Sequence, residues 1–198
     1  IEPVFLDFKK DLSQLKAKSG IPVLYKQNTS NDLFQLIYVF DMGNNNDKAL
    51  GTAFDYIDYL GTSDMTPEQV KSEFYRLACN FRVSPGNERT YVVLSGLNEN
   101  MPEAMKLFEK LMADAQVNKE AYTNMVADIL KSRKDAKLNQ MQNFRRLMNY
   151  GMYGPKSPAT NILTETELQT MDPQELTDRI HNQNSYKHRI MYYGPTSE

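Results

Sequence analysis

Hydrophobic positions change their period several times along this chain, and each change marks an element. Leu33–Phe40 is the most apolar run, and its weak alternation predicts a strand in the centre of a sheet. Asp41–Asp47, with Gly43 and three asparagines, is a turn that also offers an N-cap. From there the period lengthens. Apolar residues at 49, 50, 53, 54, 57 and 60 follow the spacing of a helix with one buried face, closing on Gly61-Thr62. Its other face carries Thr52, Asp55, Tyr56 and Tyr59.

The remaining segments read in the same way. Val4–Phe8 is a short apolar stretch, and Leu12–Lys18 with Pro22–Gln27 predicts two paired strands turning at Ser19-Gly20. Asn28–Asp32 is a polar loop. Thr66-Pro67-Glu68-Gln69 carries the signature of a capping box, starting a helix that reaches about Cys79. Phe81–Ser84 and Arg89–Leu97 form a hairpin, and Pro85 makes the first of them an edge strand or ends it. Asn98–Ala115 is an amphipathic helix whose methionines are core packing. Asn118 to about Tyr150 is helical throughout, as two helices or one with a bend, and Gly151–Pro158 is a loop. Thr164–Met171, a helix from Asp172 to about Asn182, and a closing strand Lys187–Tyr193 complete the chain.

Strands not regularly interleaved with helices indicate an α+β fold, an antiparallel-type sheet covered by helices. A chain of 198 residues can bury a substantial core as one domain, 1–198. With 23 Lys+Arg against 25 Asp+Glu, no global field attracts nucleic acid or an anionic membrane, and no apolar run is long enough for a span. The chain opens at Ile1 without Met and closes on Gly194-Pro195-Thr196-Ser197-Glu198, so both ends read as cuts from something longer.

Candidate chemistry is sparse. The sole cysteine, Cys79, excludes an internal disulfide and reads as a buried thiol among the helical neighbours Phe74, Leu77 and Ala78. His181 lies near a helix end and His188 begins the last strand; neither has a partner at metal-ligand spacing. There is no phosphate-binding glycine loop and no nucleophile elbow. Lys131, Arg133, Lys134, Lys137, Arg145 and Arg146 against Asp135 would suit phosphates, but spread around a long helix they read as a solvated face.

The order and wording of these segments resemble the pitrilysin and insulin-degrading family of zinc metallopeptidases, the inverzincins. Phe34–Gly43, the helix ending Leu60-Gly61-Thr62, the Phe81–Leu97 hairpin, Tyr122–Arg133 and Leu147–Leu163 carry the resemblance, which is greatest to the non-catalytic domains of long bacterial members. Active members hold zinc with HxxEH on the first helix and a Glu on a later one. In that register Thr52 and Tyr56 stand at the His positions, Asp55 at the Glu position, and Asp128 near the third ligand. A hydroxyl, a phenol and carboxylates do not make a zinc site, so the resemblance implies a domain without metal or catalysis of its own. It implies zinc in the catalytic half of a longer metallopeptidase, and a share in the peptide-enclosing chamber for this segment. The expected partners are the other domains of that parent and peptide or unfolded protein, with no nucleic acid and no membrane span. Substrate in this family adds as a strand to a sheet edge, which here is Asn80, Phe81, Arg82, Val83 and Ser84. The alternative is a purely structural, core-type scaffold subunit. The resemblance leaves the compartment open between bacterial periplasm and cytoplasm.

Overall fold

A computed structural model describes Phe5 and residues 7–197. Val4 and Leu6 of the apolar stretch Val4–Phe8 therefore lie outside the described residues, and Phe5 and Phe8 are exposed.

Among the described residues six strands form one sheet: β1 (Ser13–Lys16), β2 (Pro22–Gln27), β3 (Leu33–Phe40), β4 (Cys79–Pro85), β5 (Thr90–Leu97) and β6 (His188–Gly194). Their spatial order is β1-β2-β6-β3-β5-β4. β3 is interior, as its apolar run predicts, and β4 is an edge. Neighbouring strands are antiparallel except β2 and β6, which run parallel with Val23 opposite Ile190. This one parallel pair departs from the antiparallel sheet expected. It arises because the last strand, arriving after all the helices, inserts between β2 and β3 instead of adding to an edge.

Seven α-helices occur among the described residues: α1 (Leu50–Tyr56), α2 (Pro67–Arg76), α3 (Met101–Asp114), α4 (Lys119–Ala136), α5 (Gln140–Tyr153), α6 (Glu165–Thr170) and α7 (Gln174–His181). Phe34, Leu36 and Phe40 of β3, with Val92 and Leu94 of β5, meet Leu50, Ala53, Phe54 and Ile57 of the first helix in one core. α3, α4, α6 and α7 close it with Leu107, Leu111, Met125, Leu168, Leu176 and Ile180. Each fully buried aliphatic side chain contributes about 1.5–3 kcal/mol relative to exposure.

Local boundaries follow local chemistry. α2 begins with the expected capping box, in which Gln69 N–H donates to Thr66 and Thr66 N–H to the Gln69 side chain. Such a cap contributes about 1 kcal/mol. The helix ends at Arg76, three residues before the expected Cys79, because Ala78 takes a left-handed φ of 48°. Cys79 is thus the first residue of β4. It is buried there, its thiol directed at the Leu97 carbonyl. The expected long helix is two, broken at 137–139, where Asn139 caps α5. α5 runs on to Tyr153, so much of the expected Gly151–Pro158 loop is helix and a 3₁₀ turn, Gly154–Lys156.

Candidate functional site

The asparagine-rich turn prepares the first helix. Asp47 Oδ1 accepts from the Ala49 N–H, and Asn44 Oδ1 from the Gly51 N–H, satisfying donors that the helix itself leaves free. α1 lasts two turns and tightens into a 3₁₀ turn at Ile57–Tyr59. This carries its residues to different places. Thr52 is half-buried, Asp55 is exposed, and Tyr56 has no exposure at all.

Tyr56 is therefore not on the polar face where its chemistry would put it. Its hydroxyl donates to the Asn118 carbonyl at 2.6 Å and accepts from the Asn118 N–H at 2.9 Å. Its ring meets Tyr122 edge-on at 5.8 Å, and the Tyr122 hydroxyl donates to the Leu168 carbonyl at 2.6 Å. Two phenols thus tie α1 to the start of α4, and α4 to α6. Burial pushes the Tyr56 hydroxyl above its ordinary range, outweighing the opposite pull of the Asn118 hydrogen bond, so it stays protonated at neutral pH.

Thr52 and Asp55 line a polar cleft of about 230 Å³ together with Lys48, Asn44, Asn87 and, from α4, Ile129 and Arg133. Asp128 is exposed and is not among its lining residues. The inward positions of α4 are Tyr122, Met125, Val126, Ile129 and Arg133, at helical spacing from one another, which turns Asp128 away. So the α4 group in the cleft is a guanidinium. Its position on the apolar stripe of α4, at helical spacing from Met125, Val126 and Ile129, is the sequence signal of this placement.

Several polar groups of this cleft are engaged in holding the fold. Arg133 donates to the Leu163 carbonyl at 2.6 Å, and Asn161 to the Asn44 carbonyl at 2.9 Å. Lys48 pairs with Glu167 at 2.6 Å. Although Asp55 is open to solvent on one side, partial desolvation by the cleft walls, then the neighbouring Asp58, raises its carboxyl above the usual range. The cleft thus contains one carboxyl and neither an imidazole nor a thiol. Among the described residues, no three His, Cys, Asp or Glu side chains gather closely enough to hold a metal ion. The donor set does not fit zinc: Tyr56 is protonated and spent on Asn118, and a cation occupies the α4 side.

The histidines lie elsewhere. His181 Nε2 donates to the Ala115 carbonyl at 3.0 Å, and His188 Nδ1 to the Tyr186 carbonyl at 2.8 Å. Both serve backbone groups of neighbouring segments.

Glu167 supports a pH prediction. The hydrogen bond from Lys48, then those from Thr164, hold its carboxyl down at about 2. A depressed folded value stabilises the protein above the ordinary glutamate range, and that contribution disappears as pH falls from there through about 2. In a carboxyl-carbon NMR titration Glu167 is expected to have its midpoint near 2, and Lys48→Met to raise it.

At β4 the side chains alternate. Phe81 and Val83 pack against the core, with the Phe81 ring 5.1 Å from Phe74 and 5.3 Å from Phe108. Asn80 and Arg82 are exposed, and Asn80 accepts a hydrogen bond from Ser95. The five residues expected to bind peptide thus divide: main chain, Asn80 and Arg82 are open to a partner, while Phe81 is committed to the core. Beside them lies an apolar cleft of about 280 Å³ floored by Phe74, Cys79, Phe81 and Leu111.

The basic run is also reorganised. Because the chain breaks at 137–139 and turns back, Lys131, Arg133, Lys134 and Lys137 of α4 and its C-cap converge with Arg146 on a cleft of about 710 Å³. Its one acidic lining residue is Glu165. Among the described residues, no carboxylate forms an ion pair with Lys131, Lys134, Lys137 or Arg146. Burial, and then Arg146, lowers the Arg133 guanidinium from its ordinary value. Lys131, Lys134 and Lys137 stay exposed and Arg145 lies outside this cleft, so the run is a solvated face drawn together on one side.

No family model and no curated protein matches the sequence. Solved structures do match the fold. The periplasmic protease PqqL from Escherichia coli superposes with a TM-score of 0.79 at 12% identity, over 97% of this chain and 22% of that one. A peptidase M16 inactive domain from Pseudomonas fluorescens gives 0.78 at 14% identity, over 94% and 47%. The ferredoxin protease FusC, in complex with Arabidopsis ferredoxin, gives 0.79 at 11%, over 99% and 22%. The chain spans less than half the length of each. This chain has the α+β fold found in M16 peptidases, including a domain described as inactive.

Proposed function

We propose that this chain is a non-catalytic domain of a longer pitrilysin-type zinc peptidase. In that role it forms part of the wall of a peptide-enclosing chamber, and zinc and hydrolysis belong to the catalytic half of the parent. The observation that carries the proposal is the fate of the ligand positions on the first helix. Tyr56 is built into the core, and Thr52 and Asp55 share their cleft with Arg133 and with no imidazole. The likeness to an inactive M16 domain over 94% of this chain supports the same reading. Peptide or unfolded protein would meet the domain along the free edge of β4, where main-chain groups supply affinity and Asn80 and Arg82 supply contacts. We propose no role for nucleic acid.

The test compares the parent with and without this segment. Peptide turnover is expected to fall steeply on deletion, while the catalytic half still holds its zinc. Undiminished turnover would favour the alternative of a scaffold used only for assembly. The chain by itself, dialysed and assayed for metal, is expected to hold far less than one equivalent of zinc and to cleave no peptide. Near-stoichiometric, tightly held zinc would overturn the non-catalytic reading.

A further inference from the structure

α5 is oriented opposite to an ordinary surface helix. Every one of its residues is exposed or half-buried. Met141, Phe144, Leu147, Met148 and Met152 fall at three- and four-residue spacing on one stripe, with exposures of 59%, 56%, 68%, 49% and 61%. Arg146, on the opposite side of the helix, is the residue that lines the cationic cleft toward α4. The polar side thus faces the protein and the apolar side faces out.

Fourteen residues are marginal for an isolated helix in water, and this one gains little from the fold beneath it. A contiguous apolar stripe of this kind marks an interaction surface. Its surroundings select the partner. Residues 136–164 contain no Asp or Glu, and of their cations Arg145 and Lys156 lie outside the inner cleft. A twofold contact between two copies would set these cations against each other. A partner with an apolar patch rimmed by carboxylates fits instead. The same fold occupies 22% of PqqL and 47% of the Pseudomonas inactive-domain structure, so in those proteins it stands beside at least an equal length of further chain.

We infer that the outer face of α5 is the docking surface for the adjoining domain of the parent, and that this domain presents an apolar patch rimmed by acidic residues. The inference rests on the reading under Proposed function and adds to it the surface and the character of the partner. Covering the stripe completes α5, and the partner's carboxylates face Arg145 beside it.

The three methionines of the stripe provide the test. Hydrogen peroxide converts an accessible thioether to the sulfoxide, which mass spectrometry counts residue by residue. Buried Met112 and Met125 serve as internal references. In the isolated chain Met141, Met148 and Met152 are expected to oxidise rapidly, and in the full-length parent at least tenfold more slowly. Arg145→Glu in the parent is expected to raise the rate at Met148 and Met152 severalfold; no change would overturn the acidic rim. Rapid oxidation within the parent would overturn the docking surface. Protection in the isolated chain that grows with its own concentration would overturn it in favour of a second copy. Protection of the isolated chain by anionic vesicles, with rapid oxidation in the parent, would overturn it in favour of a lipid surface. A natural chain with no further domain would overturn the domain reading itself, whereas a parent whose three methionines stay reactive overturns this inference alone.

Discussion

Tyr56→Ala is expected to destabilise the protein by about 3–5 kcal/mol, the range for emptying a buried aromatic site. The side chain is fully buried, so the mutation removes its transfer energy and leaves a cavity between α1 and α4. It also strips both hydrogen bonds from Asn118, whose own side chain caps α4 through the Ala121 N–H at 3.0 Å. Tyr56→Phe isolates the polar part. It retains the ring but withdraws the partner of the Asn118 N–H and carbonyl, for a loss of about 1–3 kcal/mol. Urea unfolding of the three proteins gives both numbers. A loss below about 1 kcal/mol for the alanine variant would contradict the burial described for Tyr56.

Gly61→Ala is the second large effect, at about 3 kcal/mol or more, through overpacking against backbone. The chain folds back on itself here, with Thr62 N–H donating to the Met65 carbonyl at 2.9 Å and Gln116 N–H to the Gly61 carbonyl at 2.9 Å. A Cβ on Gly61 would overlap the Met65 carbonyl oxygen and press on the backbone nitrogen of Pro67. Neither can retreat without disturbing Thr66, which caps α2. Gly151→Ala is the control. A Cβ at this position in exposed α5 meets nothing, and the change is expected to stabilise by about 0.5–1 kcal/mol through helix propensity alone. Thermal unfolding should therefore move in opposite directions for two identical substitutions.

Both sites lie in or next to the first helix, where reading from sequence succeeded and failed within a few residues. The stripe Leu50, Ala53, Phe54, Ile57 and Leu60 is buried as its period requires. The hydroxyl of Tyr56 predicts a place on the polar face. A phenol is mostly hydrocarbon, however, and a core accepts it whenever its one polar atom finds partners, as it does at Asn118. Period alone cannot reveal such a partner 62 residues away. Asp128 shows a related difficulty: the register on α4 depends on which side of that helix meets α1, and the inward side carries Ile129 and Arg133.

By itself, the sequence determined the elements whose causes are local. The capping box of α2, the turn before α1, the interior strand β3 and the edge strand β4 all follow from residues within a few positions of each other. It also determined the α+β fold class, through the order of periods along the chain. Tertiary structure alone decided the rest. Insertion of β6 between β2 and β3 created the one parallel pair. The break at 137–139 gathered four cations of α4 and its C-cap with Arg146, and turned the apolar side of α5 outward. Packing of α4 on α1 put Arg133 where an acidic group was expected. Each of these is a long-range juxtaposition, set by which faces bury the most apolar surface together, and a one-dimensional pattern records only that such faces exist.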